Sequence, residues 1–374
     1  DRYGLWADAL QQFFLIAELH LPDSLRSISV DMREDNLNGQ RVEYIRLPRG
    51  DSGSSRVSPI SRFTYNGISR AESIKIVPSR FELRPSHKTN FGFPQLALGA
   101  DLAMRVQLMD PNEPLKHQFY VKGTARLALT DQLNIWSSYT IDLANDFNKK
   151  RPSNSVLPRV RSEINRYLAD GKNGVDTFFA EYKRSLLPDI HTRAFIGLVE
   201  EMFGGVGSEF LYQPFDSRWA LGGNLNWVKQ RSYNKNFSFR SYNVVTGHLS
   251  AFYASPWNNL DFALHMGRYL AGDRGLTVEA RRTFDNGFSI GAFFTRTNVS
   301  AKDFGEGSFD KGLFLRMPFH LFLPGNTRGT YSTVIRSIER DGGRRLGGGV
   351  GRMWWDRRSV RLDSLLNNTA RMVP

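Results

Sequence analysis

The fold is decided by residues 241–319, which read SYNVVTGHLSAFYASPWNNLDFALHMGRYLAGDRGLTVEARRTFDNGFSIGAFFTRTNVSAKDFGEGSFDKGLFLRMPF. Successive side chains of a β-strand point to opposite faces, so alternate residues share a face. From residue 260 the apolar positions are Leu260, Phe262, Leu264 and Met266, and the positions between them are Asp261, Ala263, His265 and Gly267. The same alternation returns at residues 276–281, 288–295 and 313–319. The stretch therefore predicts consecutive strands, each with one apolar face.

Turn signals separate these strands, and two architectures accommodate them. Asp285-Asn286-Gly287 carries a strong hairpin signal, and Gly272 and Gly275 lie in the turn before it. A soluble β-sandwich or barrel would bury the apolar faces, whereas an outer-membrane barrel would turn them towards lipid around a polar lumen. The small and charged residues of the opposite face favour the membrane architecture. Aromatic residues near strand ends, as in an interfacial girdle, favour it too: Tyr253, Trp257, Tyr269, Phe284 and Phe319.

Composition is compatible with such a barrel. The 374 residues have a mean hydropathy of −0.40, and no stretch approaches the roughly 20 apolar residues of a membrane helix. The net charge is +13, which favours contact with anionic lipopolysaccharide or with a polyanion. We expect no nucleic-acid partner, because no helix-turn-helix, RNP-type or zinc-finger signature is present. The chain begins at Asp1 without a signal segment, so an exported protein would be a processed or truncated form.

The chain order predicts a small α/β periplasmic element followed by the barrel. Residues 3–18 have the broad apolar side of a helix, two short strands follow at about 27–32 and 40–47, and residues 48–58 resemble a linker. We assign residues 1–55 to this element and residues 56–374 to the barrel, with a polar C-terminal tail from Asp356. Among the expected strands are residues 158–168 and, as the last one, 346–355. The predicted fold class is all-β: an antiparallel transmembrane outer-membrane barrel of about 14–16 strands.

Several long motifs follow one another from the middle of the chain onwards. Residues 156–170 read VLPRVRSEINRYLAD, residues 198–213 read LVEEMFGGVGSEFLYQ, and residues 214–233 read PFDSRWALGGNLNWVKQRSY. Residues 264–284, FGEGSFDKG at 304–312 and RDGG at 340–343 continue the series. In this order the motifs resemble those of the YjbH/GfcD family of exopolysaccharide-biosynthesis outer-membrane proteins. The resemblance implies an outer-membrane β-barrel, in its C-terminal portion, that works with capsule or exopolysaccharide secretion. It supplies no catalytic residues.

Basic residues of the polar face are the candidate binding groups. Alternation assigns to this face Arg105, Lys122, Arg126, Arg193, Arg218, Arg281 and Arg316, with Tyr120 and Trp136 as sugar-stacking platforms. The planar guanidinium of arginine matches the carboxylates of acidic sugars, so these residues predict a basic path for an anionic polysaccharide. The alternative is a lumen in which these charges pair with carboxylates of the same face. A register error of one residue would move a whole set to the lipid face.

Signals for catalysis are weaker. His248 and Ser250 are two residues apart on one face, as a nucleophile and its base can be, but the sequence offers no third group to orient the histidine. The histidines lack metal-ligand spacing, so we expect no metal and no cofactor. We therefore expect a non-enzymatic protein that aids the export or surface assembly of an acidic exopolysaccharide, with secretion components as further partners. The alternatives are a closed barrel that acts as a scaffold for a secretion complex and, third, an outer-membrane enzyme.

Overall fold

The computed structural model describes residues 5–22, 24–46, 64–65, 68–69, 73–79, 92–108, 115–147, 154–305, 307–323, 327, 329–336 and 339–374. In these ranges, no helix is both long enough and apolar enough to cross a membrane. The predicted linker at residues 48–58 lies outside the described residues.

A small N-terminal element contains one helix and three antiparallel strands. Its members are α1 (Trp6–His20), β1 (Ser27–Glu34), β2 (Leu37–Ile45) and β5 (Ile74–Val77), with the strand order β1-β2-β5. Helix α1 packs Phe14 on the ring of Tyr44, with ring centroids 4.9 Å apart. Because β5 pairs with β2, this sheet extends beyond the boundary at residue 55 that the sequence predicts. Two further strands, β3 (Thr64–Tyr65) and β4 (Ile68–Ser69), pair only with each other.

The remaining strands form one antiparallel sheet. They are β6 (Gln95–Leu108), β7 (Leu115–Ala128), β8 (Leu133–Asn145), β9 (Gly174–Leu187), β10 (Ile190–Leu198), β11 (Phe203–Tyr212), β12 (Trp219–Arg231), β13 (Phe239–Ala254), β14 (Leu260–Arg268), β15 (Arg274–Thr283), β16 (Ser289–Thr297), β17 (Asp310–Pro318) and β18 (Thr330–Arg336). Each pairs with the strand that follows it in the chain, so among the described residues the sheet has thirteen strands with β6 and β18 at its edges.

Two of the predicted strands are wrong, which is one reason why the sheet has thirteen strands and not about 14–16. Residues 158–163 form a loop, and residues 164–168 belong to helix α2 (Ile164–Asp170). Residues 346–355 form turns and the start of helix α4 (Met353–Asp356), because Gly348, Gly349 and Gly351 adopt positive φ angles that a strand does not accept. The chain continues into α5 (Leu362–Leu366) and α6 (Thr369–Met372), and a short α3 (Ala301–Phe304) joins β16 to β17.

The apolar face of the sheet points outward, as the outer-membrane architecture requires. On β14, Phe262, Leu264 and Met266 are exposed, whereas Asp261 and His265 on the other face are buried. The same pattern holds on β12, where Trp219, Leu221, Leu225 and Trp227 are all about half exposed or more. A soluble β-sandwich would show the opposite arrangement. The hairpin predicted at Asp285-Asn286-Gly287 is confirmed, and Gly287 has a φ of 82°.

The polar face is buried beneath the last part of the chain, residues 340–374, which we call the C-terminal segment. Trp354 stacks on Phe252 of β13 at a centroid distance of 4.9 Å. Further along, Val360, Leu365 and Met372 join the core of the N-terminal element. The predicted polar tail is therefore a packed inner element that contacts both the sheet and the N-terminal element.

Candidate functional site

A cavity of about 1100 Å³ lies between the C-terminal segment, the N-terminal element and strands β15–β18. Strand alternation creates its wall, because the inward positions of these strands carry Ser, Thr, Arg and Phe. Ten arginines and five carboxylate side chains line the cavity. The arginines are Arg33, Arg126, Arg161, Arg281, Arg316, Arg336, Arg344, Arg345, Arg352 and Arg358. The carboxylates are Glu34, Asp35, Asp285, Asp310 and Asp356. The lining thus carries an excess of positive charge, which attracts anions.

Three of the predicted binding residues lie at this cavity: Arg126, Arg281 and Arg316. Arg126 lies over the ring of Trp136, with its guanidinium carbon 5.0 Å from the ring centroid, so these two predicted residues form one pair. Trp136 also donates a hydrogen bond to Glu181 at 3.1 Å. The structure therefore brings part of the predicted basic set together across β7, β15 and β17.

Arg281 is held between two aromatic rings. Its guanidinium carbon lies 3.9 Å from the centroid of Phe314 on β17 and 4.0 Å from that of Trp355 in the C-terminal segment. It donates a hydrogen bond of 2.8 Å to Glu279, and Arg345 of the C-terminal segment donates to the same carboxylate. The stacked, charge-paired arrangement fixes the arginine in one orientation.

Other predicted residues are engaged with carboxylates away from the cavity. Arg193 donates to Glu181 and to Glu209 at 2.6 Å each, and all three side chains are buried. Arg105 lies over Tyr120, with 5.8 Å between guanidinium carbon and ring centroid, and donates to Glu201 at 2.5 Å. These ion pairs fit the alternative given in the sequence analysis, in which the basic residues of the polar face pair with carboxylates of the same face.

Glu201 lies in the turn between β10 and β11, and its pKa reflects the basic groups around it. Burial alone would raise this pKa, but the positive charges of Arg105 and Lys235 lower it to about 2. The predicted binding residue Lys122 contributes to the lowered pKa of Glu201.

Arg218 is exposed in the loop before β12, where it donates to the carbonyl oxygen of Ala254 at 3.3 Å. The predicted basic set is therefore divided among several places and forms no continuous path.

Sequence analysis did not find the arginines of the C-terminal segment. Arg344, Arg345, Arg352 and Arg358 line the cavity, yet the alternation had assigned residues 346–355 to a strand and the rest to a tail. The available signal was the density of Gly and Arg from residue 340, which breaks the two-residue period of a strand.

Ser250, His265 and Glu279 lie close together on the neighbouring strands β13, β14 and β15. Ser250 Oγ is 2.7 Å from His265 Nδ1, and His265 Nε2 is 3.5 Å from the Glu279 carboxylate. The sequence had considered His248 as the partner of Ser250, but the next strand supplies His265 instead. Ser250 is buried and does not line the large cavity, and Glu279 is shared with two arginines. We interpret the group as a cross-strand structural pair.

A second Ser–His pair supports this interpretation. Ser185 Oγ lies 2.7 Å from His191 Nδ1 between β9 and β10, and the backbone N–H of Asn38 donates to the same hydroxyl at 2.9 Å. This pair ties the N-terminal element to the sheet. In both pairs the serine hydroxyl and the Nδ1 atom of a histidine on the adjacent strand satisfy each other's hydrogen-bonding capacity in a buried place.

Comparison with known proteins gives one family and one close relative. The family model described as "YjbH: Exopolysaccharide biosynthesis protein YbjH" matches residues 1–350. The chain is similar to "Uncharacterized lipoprotein YjbH" of Escherichia coli (strain K12), with 38% identity over 336 residues. This match covers 87% of the chain and 47% of the relative, so the chain spans about half the length of the curated relative.

Among solved structures, one match to this chain is "Salmonella typhi OmpF complex with Daunomycin". The TM-score is 0.33 and the sequence identity 12%, with 60% of this chain and 85% of that chain covered.

Proposed function

The chain belongs to the YjbH family of exopolysaccharide biosynthesis proteins, and from this premise we propose that it aids the export or surface assembly of an acidic exopolysaccharide. In this proposal the thirteen-stranded sheet forms the wall of a β-barrel in the bacterial outer membrane. The role is non-enzymatic: the protein binds the polymer and lowers the free energy of placing a hydrated, charged chain next to a hydrocarbon layer.

The outward face supports the membrane part of the proposal. Its apolar side chains are well exposed, for example Leu98 and Leu102 on β6 at 74% and 75% and Leu249 on β13 at 64%. Soluble monomers rarely present an apolar surface of this extent to water, whereas lipid covers it favourably. We propose that outer-membrane lipid, including lipopolysaccharide, surrounds this face.

The single observation that carries the polymer part is the cavity with ten arginines and five carboxylates. Carboxylates of an acidic sugar accept two parallel hydrogen bonds from one guanidinium, so arginine recognises them better than lysine does. The hydroxyl groups of Ser289, Thr330 and Ser332 also line the cavity. They supply donors and acceptors for the hydroxyl groups of a sugar ring.

A second candidate function follows from the position of the C-terminal segment. This segment covers the polar face and is held by buried ion pairs, so passage of a polymer requires the segment to move. If it stays in place, the closed barrel acts as a scaffold that anchors a secretion complex, and the N-terminal element becomes the contact surface for that complex.

The test combines planar-bilayer conductance with a cell-surface assay. We expect purified acidic exopolysaccharide to bind the protein and to block its conductance, while neutral dextran does neither. We also expect cells without the protein to carry less surface polymer. A bilayer that stays silent, together with a secretion component captured through residues 5–46, would favour the scaffold. Absence of polymer binding with unchanged surface polymer would contradict both functions.

A further inference from the structure

Within the cavity, one group of basic side chains belongs jointly to the sheet and to the C-terminal segment. Arg281 and Arg316 lie on strands β15 and β17 of the sheet. Arg352 belongs to the C-terminal segment, where it directly precedes helix α4. All three side chains line the same cavity. Like charges in one cavity repel each other, and an anion that binds between them relieves the repulsion. Glu34 and Asp356, which line the cavity as well, supply part of this compensation.

The carboxylates of the protein compensate the positive charges of these arginines only in part. Among the described residues, Arg316 makes no hydrogen bond or ion pair with another side chain. Arg352 pairs with Asp356 one helical turn away, at 3.4 Å, and its side chain is 53% exposed. An exposed pair of this kind contributes little and leaves most guanidinium donors free. Glu279, the carboxylate beside Arg281, is already shared with Arg345. Donors on both sides of the cavity are therefore available to a ligand.

We propose that Arg316 of the sheet and Arg352 of the C-terminal segment form a composite site for a carboxylate-bearing sugar residue, and that the bound sugar fastens the segment to the wall. The stacked Arg281 gives this site a fixed positive rim. The inference rests on the proposed function and adds to it the binding site and the effect of binding. A ligand that contacts both the sheet and the C-terminal segment binds best when the two are associated, so the polymer stabilises the packing of the segment on the sheet.

The test uses the full chain and a defined probe, the tetramer of α-1,4-linked galacturonic acid, with maltotetraose as the neutral control. We expect the acidic tetramer to bind and the neutral one not to bind. Arg316→Gln and Arg352→Gln should each weaken the affinity about tenfold or more, the effect of one lost charge-assisted hydrogen bond. The matched control is Arg274→Gln, which removes the same charge from an exposed position at the start of β15.

Limited digestion with chymotrypsin measures the second part, because neither substitution removes an aromatic cleavage site. The acidic tetramer should slow cleavage within the C-terminal segment of the wild type and have little effect in Arg352→Gln.

Unchanged affinity in both variants, or equal binding of maltotetraose, would overturn the composite site. If the complete acidic exopolysaccharide still binds these variants normally, the proposed function stands and only this inference falls. If no acidic probe binds the wild type and surface polymer is normal without the protein, both fall. Faster cleavage in the presence of the tetramer would overturn the fastening role.

Discussion

Asp261 holds the C-terminal segment on the sheet through two arginines. Its two carboxylate oxygens accept hydrogen bonds from Arg358 at 2.9 Å and from Arg361 at 2.8 Å. The side chains of Asp261 and Arg361 are only 2% and 1% exposed. Arg361 also lies over the ring of Trp354, 4.0 Å from its centroid, and donates to Asp363 at 3.0 and 3.1 Å. Asp261 thus compensates the charge of Arg358 and shares that of the buried Arg361 with Asp363.

Asp261→Asn should therefore be strongly destabilising. The amide keeps the shape but removes the charge, so Arg358 loses its carboxylate partner and the buried Arg361 retains only Asp363. We expect a loss of about 3 kcal/mol in the free energy of unfolding, the lower end of the range for a broken buried ion pair. Denaturant titration in lipid vesicles measures it. The control is Asp131→Asn, the same chemical change at an ion pair with Arg33 whose side chains are both 62% exposed. That change should cost at most about 1 kcal/mol, and equal losses in the two variants would contradict the assignment.

At the scale of elements, the hairpin of β1 and β2 is closely packed against the C-terminal segment. A Cβ atom added at Gly39 on β2 would lie 2.5 Å from Cβ of Val360, a residue with no exposed surface. Val360 belongs to the same core as Phe14 and Met32. The N-terminal element and the C-terminal segment consequently share one tightly packed core at this point.

Gly39→Ala should push the hairpin and the segment apart. Overpacking of a close contact costs about 1–3 kcal/mol, and we expect a lower melting temperature together with faster proteolysis of the C-terminal segment. Gly92→Ala is the matched control, because nothing lies within 4 Å of a Cβ added there. It should be neutral or slightly stabilising, since alanine restricts the unfolded chain. A control as unstable as Gly39→Ala would show that the contact with Val360 is not the cause.

For the whole molecule, the C-terminal segment decides how much of the interior is open. It fills the polar face from Arg344 to Met372 and leaves the arginine-lined cavity beside it. Because all thirteen strands alternate in direction, β6 and β18 run the same way, so a direct pairing of these two edges would be parallel. Under the proposed function, the C-terminal segment is the part of the chain that has to move before a polymer can pass along the polar face.

Removal of residues 353–374 should raise the conductance of the protein in planar bilayers well above that of the intact chain. The physical reason is that α4, α5 and α6 leave the interior, and water replaces them against polar side chains. Asp261→Asn, which loosens the segment without deleting it, should give an intermediate conductance, and Asp131→Asn should behave as the wild type. Heat-modifiable electrophoretic mobility verifies that each variant is folded. A folded truncation with unchanged conductance would contradict this role of the segment.

The features that could be predicted are those that depend on short, local patterns in the sequence. The two-residue alternation at Leu260–Met266 predicts both the strand and the direction of its faces, because side-chain orientation in a strand depends only on position along the chain. The hairpin at Asn286-Gly287 follows from the positive φ that glycine accepts. The family resemblance rests on motifs that are equally local. Arg126, Arg281 and Arg316, which the alternation assigns to the polar face, line the cavity.

By itself, the sequence determined an antiparallel sheet with an apolar outer face and a basic inner one. Only the tertiary structure decided which basic groups remain available. Arg193 is taken by Glu181 and Glu209 of neighbouring strands, whereas Arg361 reaches Asp261 across one hundred residues. Contacts of this separation leave no periodic trace in the sequence, because each depends on where the whole chain has placed both partners. For that reason the sequence predicts a strand and a polar tail for residues 346–374, whereas in the structure these residues pack on the polar face of the sheet and line the cavity.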